Sequence, residues 1–144
     1  MSRGFKLVMK VIIALIIIFV VLGLLNPFGG SRIQTAGRIA WAKDEVTALV
    51  TAIKACQTEY GAMPSGDSVA ILKTLQGDNP RKIQFFAASQ GPKYFDAAGH
   101  FLDPWKTPFR IDISDPANPK VWSAGKNKKD APDDPNSEDI CSWR

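Results

Sequence analysis

The sequence predicts an α+β protein: a long N-terminal helix, first apolar and then amphipathic, packed on a small antiparallel sheet formed by the C-terminal half. Three observations carry that expectation. Residues 11–25 are an unbroken run without a charge. Residues 33–58 place apolar side chains at helical spacing and contain no proline. Beyond residue 100, short segments alternating at period two are separated by Pro, Asn and Gly turns. The chain then divides into a short basic leader (1–4), a membrane helix (5–28) and an extracytoplasmic domain (29–144). Within that domain the stem helix is expected at about 33–60, with a loop and sheet region at 61–144.

The 144 residues leave room for one modest domain and an appendage. The apolar run extends back to Phe5 if Lys6 and Lys10 snorkel toward the headgroups. Residues 5–25 then number 21, enough to cross a hydrocarbon core of roughly 30 Å at about 1.5 Å per residue. Asn26-Pro27 is expected to break or kink the helix, and Gly29-Gly30 to give a flexible exit. Arg3, Lys6 and Lys10 precede the run, which orients that end to the cytoplasm and sends the rest across. A cleavable secretory signal shares the basic start and the apolar run; against it, the run is long and no A-x-A-like site follows.

Removing those three cations from the 18 basic residues leaves 15 against 14 acids, so the domain is nearly neutral. That balance argues against nucleic acid as a partner, which calls for basic residues clustered on one face. Arg81, Lys82, Phe85 and Phe86 alternate basic and aromatic residues, but they read better as core filler beneath a loop than as an RNA platform. Cys56 and Cys141 stand in no CxxC or Cys/His cluster, and His100 is the only histidine, which argues against a zinc site. Outside the cytoplasm a disulfide is permitted. A Cys56–Cys141 bond is expected if the last segment packs back on the stem.

Ile39, Val46, Leu49, Val50, Ile53 and Cys56 form one helical stripe, with Arg38, Lys43, Asp44, Glu45 and Lys54 mostly on the other faces. Gly61 marks the stop, and Pro64 follows. Ser65-Gly66-Asp67 caps a short helix carrying Ile71, Leu72 and Leu75 and ending at Gly77. Asn79-Pro80 is a turn. Gly99-His100-Phe101 reads as a turn entering a strand. Trp105 is expected to supply a large buried surface after the turn at Pro104, and Phe109-Arg110-Ile111-Asp112-Ile113 alternates as a strand. Asp115-Pro116 and Asn118-Pro119 connect it to a second strand at Val121-Trp122-Ser123-Ala124-Gly125.

Three ordered stretches carry a resemblance. Asp103-Pro104-Trp105-Lys106-Thr107-Pro108-Phe109 resembles the Asp-Pro-Trp-Gly-x-Pro-Tyr motif of the major pseudopilin of type II secretion. Ser123-Ala124-Gly125 is similar to the start of that family's Ser-x-Gly-x-Asp-Gly, and Glu138-Asp139-Ile140-Cys141-Ser142-Trp143 to its closing Asp-Asp-Ile-x-x-Trp. Arg3-Gly4-Phe5 resembles a prepilin cleavage site, and residues 42–64 look like the pilin stem that ends in Tyr or Asn, Gly, a spacer and Tyr-Pro. The chain departs from the pattern at Lys106 and Lys128, where the family has Gly, at Asn127, where it has Asp, and at Met9, where it has Glu.

The resemblance implies a pilin-like fold and a structural role without enzymatic activity. It implies cutting after Gly4 by a prepilin peptidase and methylation of Phe5. It also implies self-assembly through the N-terminal helix, alone or with other pseudopilins, on an inner-membrane secretion platform, with the domain in the periplasm. Calcium is implied in the acidic loop 126–139, with Ala124, Asn127, Asp130, Asp134 and Asp139 as its ligands. Met9 removes the carboxylate thought to pair with a neighbour's N-terminal amine, which opens the alternative of a tethered binding module that does not polymerise.

Overall fold

The computed structural model describes residues 12, 13, 15–18 and 28–144. Gly4, Phe5, Met9 and most of the expected membrane helix lie outside the described residues. Ile12, Ile13, Leu15, Ile16, Ile17 and Ile18 are helical and expose their side chains. Among the described residues no helix is long and apolar enough to cross a membrane. The chain forms two units, Met1–Ala36 and Gly37–Arg144, and the second holds the hydrophobic core and the sheet.

Helix α1 spans Phe28–Tyr60. It starts earlier than the periodicity indicated and takes in Gly29 and Gly30, where the sequence suggested a flexible exit. A glycine costs only about 1 kcal/mol inside a helix, less than a new nucleation event. The helix ends as expected: Gly61 adopts φ +69° and its N–H donates to the Gln57 carbonyl at 2.8 Å. Val46, Leu49, Ile53 and Cys56 are buried on one stripe, joined by Ala42 and Ala52. Two residues differ from the sequence reading. Ile39 is 42% exposed because the stripe finds its cover only from Ala42 onward, and Glu45, assigned to a polar face, is buried.

Helix α2 spans Ser68–Leu75 and is capped by Asp67, whose Oδ1 accepts the Ala70 N–H at 2.8 Å. Ile71, Leu72 and Leu75 turn inward, as their spacing required. The chain then runs irregularly to residue 108. Its backbone is pinned by Asn79, buried, whose Nδ2 donates to the Thr74 and Ile83 carbonyls at 2.8 and 2.7 Å. Asn79 Oδ1 accepts from the Ile83 N–H at 3.0 Å and from the Tyr60 hydroxyl at 2.7 Å. Phe86 is buried against Phe101, and Phe85, half-buried, packs edge-on to Tyr60. Arg81 pairs with Glu59.

The sheet is three-stranded and antiparallel, in the order β1 (Arg110–Asp112), β2 (Lys120–Ser123), β3 (Ile140–Cys141). Ile111 pairs with Val121, Trp122 with Cys141 and Ser123 with Ile140. Val121 and Ile140 join the core with the α1 stripe. Trp122 and Cys141 therefore occupy the opposite face, where Trp122 meets Trp143 edge-on at 5.9 Å. The core holds an aromatic stack: the Phe101 ring centre sits 5.1 Å from those of both Phe95 and Phe109. Asp112 and Asp115 fold the β1–β2 connection by accepting backbone N–H groups from Ser114 and Ala117, each at 2.9 Å. The Asn118 amide, ahead of the Ala117 N–H, holds the Asp115 carboxyl below the usual aspartate range, and the Ser114 N–H does the same for Asp112. Their contribution is present at neutral pH and is lost only as pH falls through the lowered values.

The two ends of the α1 stripe give opposite expectations. Leu49→Ala should cost about 3 kcal/mol, as a cavity opened in a packed core. Ile39→Ala should stay within about 0.5 kcal/mol. Urea unfolding of the two variants checks the contrast, and equal losses would contradict the burial pattern.

Candidate functional site

The three C-terminal motifs converge on one buried carboxylate. Asp103 is fully buried. Its Oδ1 accepts the N–H groups of Trp105 and Thr107, both at 2.9 Å. Its backbone N–H donates to the Thr107 carbonyl at 2.8 Å and its carbonyl accepts from Lys106 N–H at 3.0 Å, closing a tight turn. Its Oδ2 reaches across to β2 and accepts the Ser123 hydroxyl at 2.6 Å. The Ser123 oxygen in turn accepts the Gly125 N–H at 3.1 Å. A buried carboxylate is tolerated only when its lone pairs are filled, and three donors fill these. Trp105, expected as the buried anchor of the motif, is only half-buried. The anchor is the aspartate.

Gly125 carries the link to the closing motif. It adopts φ +67°, and a Cβ there would stand 2.2 Å from the Glu138 carbonyl oxygen. Only glycine lets the two segments approach this closely. Lys106 and Lys128, which stand where the family has Gly, both lie in the left-handed region at φ +66° and +57°. Lys106 keeps that conformation while its Nζ sits 4.1 Å from the Tyr94 ring centre and 3.3 Å from the Lys93 carbonyl.

The residues expected as calcium ligands each have contacts of their own. Ala124 is buried beside Ser123. Asn127 Oδ1 accepts the Lys129 N–H at 2.8 Å. Asp130 turns to the outer sheet face, accepting Trp122 Nε1–H at 2.6 Å and pairing with Arg110 Nε at 3.2 Å. Asp134 Oδ1 accepts the Asn136 N–H at 2.9 Å. Asp139 Oδ2 accepts the Ala131 N–H at 2.9 Å, while its buried Oδ1 has no hydrogen-bond partner. Among the described residues no three acidic, His or Cys side chains are grouped as a metal site. Asp139 Oδ1 is the one buried side-chain oxygen without a partner among the described residues, while the Asp133 and Glu138 carboxylates lie at the surface.

Cys56 and Cys141 are both buried and both free. Cys56 lies in the core on α1, and Cys141 lies on β3, on the sheet face opposite Ile140. Burial raises both thiols above the ordinary cysteine range. His100 is absorbed by its turn, with Nδ1 2.9 Å from Asp96 Oδ2 and its own N–H on Oδ1 at 2.8 Å. That backbone bond, ahead of the ring's contribution, lowers the Asp96 carboxyl.

Sequence reasoning missed Glu45. This carboxylate, 2% exposed, accepts Trp41 Nε1–H at 2.9 Å, Ser89 N–H at 3.1 Å and the Ser89 hydroxyl. It ties α1 to the irregular stretch beside a concavity of about 430 Å³. No local signal marks it, since its partner Ser89 is 44 residues away. In comparison with known proteins, no family model, no curated protein and no solved structure matches this chain.

Asp103→Ala would leave three donors buried without a partner and should cost about 3 kcal/mol or more, against about 1–2 kcal/mol for Ser123→Ala. Equilibrium denaturation that ranks the two variants the other way would contradict the assignment of the anchor. Lys106→Gly should raise stability by up to about 1 kcal/mol, because relief of the left-handed strain exceeds the glycine's added freedom in the unfolded chain. A fall in the melting midpoint would show that the contacts with Tyr94 and Lys93 outweigh that strain.

Proposed function

We propose that this chain is a structural subunit of a type II secretion pseudopilus, acting by assembly and not by catalysis. The observation that carries the reading is the division of labour along α1. From Ala42 to Cys56 its stripe is consumed by the chain's own core, whereas from Gly37 to Ala40 every residue is exposed. A helix satisfied at one end and uncovered at the other is a stem, and the sequence continues it backward into the uncharged run. The motif residues support the same role: Asp103, Ser123 and Gly125 are spent on bonds within the domain. In this reading the N-terminal helix sits in the inner membrane, the domain lies in the periplasm, and Gly4-Phe5 is cut by a prepilin peptidase. The helix then packs in the filament core with further copies or other pseudopilins above the secretion platform.

Met9 supports a second reading, a tethered binding module that does not polymerise, because no carboxylate stands there to meet a neighbour's amine. Amine-reactive crosslinking of membrane fractions from cells making the full chain separates the two. The assembly reading predicts a ladder of self-adducts and a mature N-terminus at Phe5. A single monomeric band with the Gly4-Phe5 bond intact would favour the tethered module. Recovery of the chain in the soluble cytosolic fraction would overturn both.

A further inference from the structure

The acidic loop 126–139 has five carboxylates against three lysines and no regular secondary structure, so its backbone carbonyls look outside the loop for donors. Arg144 supplies two of them. Its Nη1 donates to the Asp134 carbonyl at 2.9 Å. Its Nη2 lies 3.0 Å from the Pro132 carbonyl, 3.1 Å from Ser137 Oγ and 3.0 Å from Cys141 Sγ. Main-chain carbonyls converging on one positive centre are the arrangement by which a loop wraps a hard cation. Here the centre is a guanidinium, permanently charged and with its donors fixed in a plane.

We propose that Arg144 is the loop's built-in cation, so that the loop holds its shape without a divalent ion. The neighbouring contacts support this. Trp143, placed by Trp122 at 5.9 Å and by Lys120 Nζ at 5.3 Å, sets the approach of the next residue. The Ser142 N–H on the Val121 carbonyl at 2.9 Å ties the same segment to β2. A second arginine serves the start of the loop: Arg110 pairs with Asp130, the carboxylate that a metal site would have needed. Asn127 and Asp134 each accept a backbone N–H of their own turn, and Asp139 Oδ1 is the one buried carboxylate oxygen left without a partner among the described residues. The inference does not depend on the assembly reading, since it concerns how the domain closes on itself.

The test uses the full chain and three proteins: wild type, Arg144→Gln and Arg144→Lys. Thermal unfolding is followed in chelator and in millimolar calcium, with limited proteolysis reporting on the loop. The wild-type midpoint should be the same in both buffers. Arg144→Gln should melt several degrees lower and be cut faster within 126–139, and Arg144→Lys should not restore the loop, because a single ammonium nitrogen lacks the planar fork that donates from Nη1 and Nη2 separately. A wild-type midpoint that rises with calcium would overturn the proposal. So would an Arg144→Gln protein that melts and resists protease like the wild type, or full rescue by lysine.

Discussion

A charge buried in a small domain must find every hydrogen bond it can, and the C-terminal half of this chain is organised around one such obligation. The Asp103 carboxylate is satisfied by the Trp105 and Thr107 N–H groups and by the Ser123 hydroxyl. That requirement fixes the turn that delivers Phe109 to the aromatic stack and sets β2 at a defined distance from it. Through Ser123 it positions Gly125, and through Gly125 the path of Glu138 past the end of β2. Two strands of three and four residues and one of two would be a poor sheet alone. They hold because one anchor in the preceding turn and one cation after the last strand bracket them.

The same economy runs through the middle of the chain. Residues 76–108 have little regular structure, yet buried polar side chains tie them to the helices at two points. Asn79 closes the loop after α2 onto Tyr60, and Glu45 reaches out from α1 to Ser89. Long irregular segments are stable only when their backbone groups have partners, and a buried Asn or Glu can serve several at once. The apolar stripe of α1 supplies the bulk of the burial, while these polar contacts determine which irregular path is taken over it.

What was legible in the sequence was whatever repeats at short range. The α1 stripe, the Asp67 cap, the Gly61 stop and the alternation through Ile111 and Val121 all appear where periodicity and turn chemistry put them. What was not legible depends on partners far along the chain. Glu45 looks like an ordinary surface acid until Ser89 arrives, and Ile39 looks like core until the domain proves too short to cover it. Trp105 is the largest side chain of its motif, although the full burial belongs to Asp103 two positions before it. The substitutions of Lys for Gly at 106 and 128 are visible in the sequence, but only the backbone shows that both positions demand a left-handed residue. A run of acids in a familiar motif suggests a metal loop. Asp134 is turned by a local bond to Asn136, whereas the direction of Asp130 and the arrival of Arg144 from outside the loop are set by contacts that no local pattern encodes.

A domain pinned in this way should open as one unit. The most direct measure of that opening is amide hydrogen exchange in the native protein, read at Trp105, Thr107 and Gly125. If the Asp103 anchor governs the C-terminal half, those three amides open only with global unfolding, at the same free energy as the amides of Leu49 and Ile53 in α1. Exchange at Trp105 and Thr107 by local opening, while α1 stays protected, would contradict it.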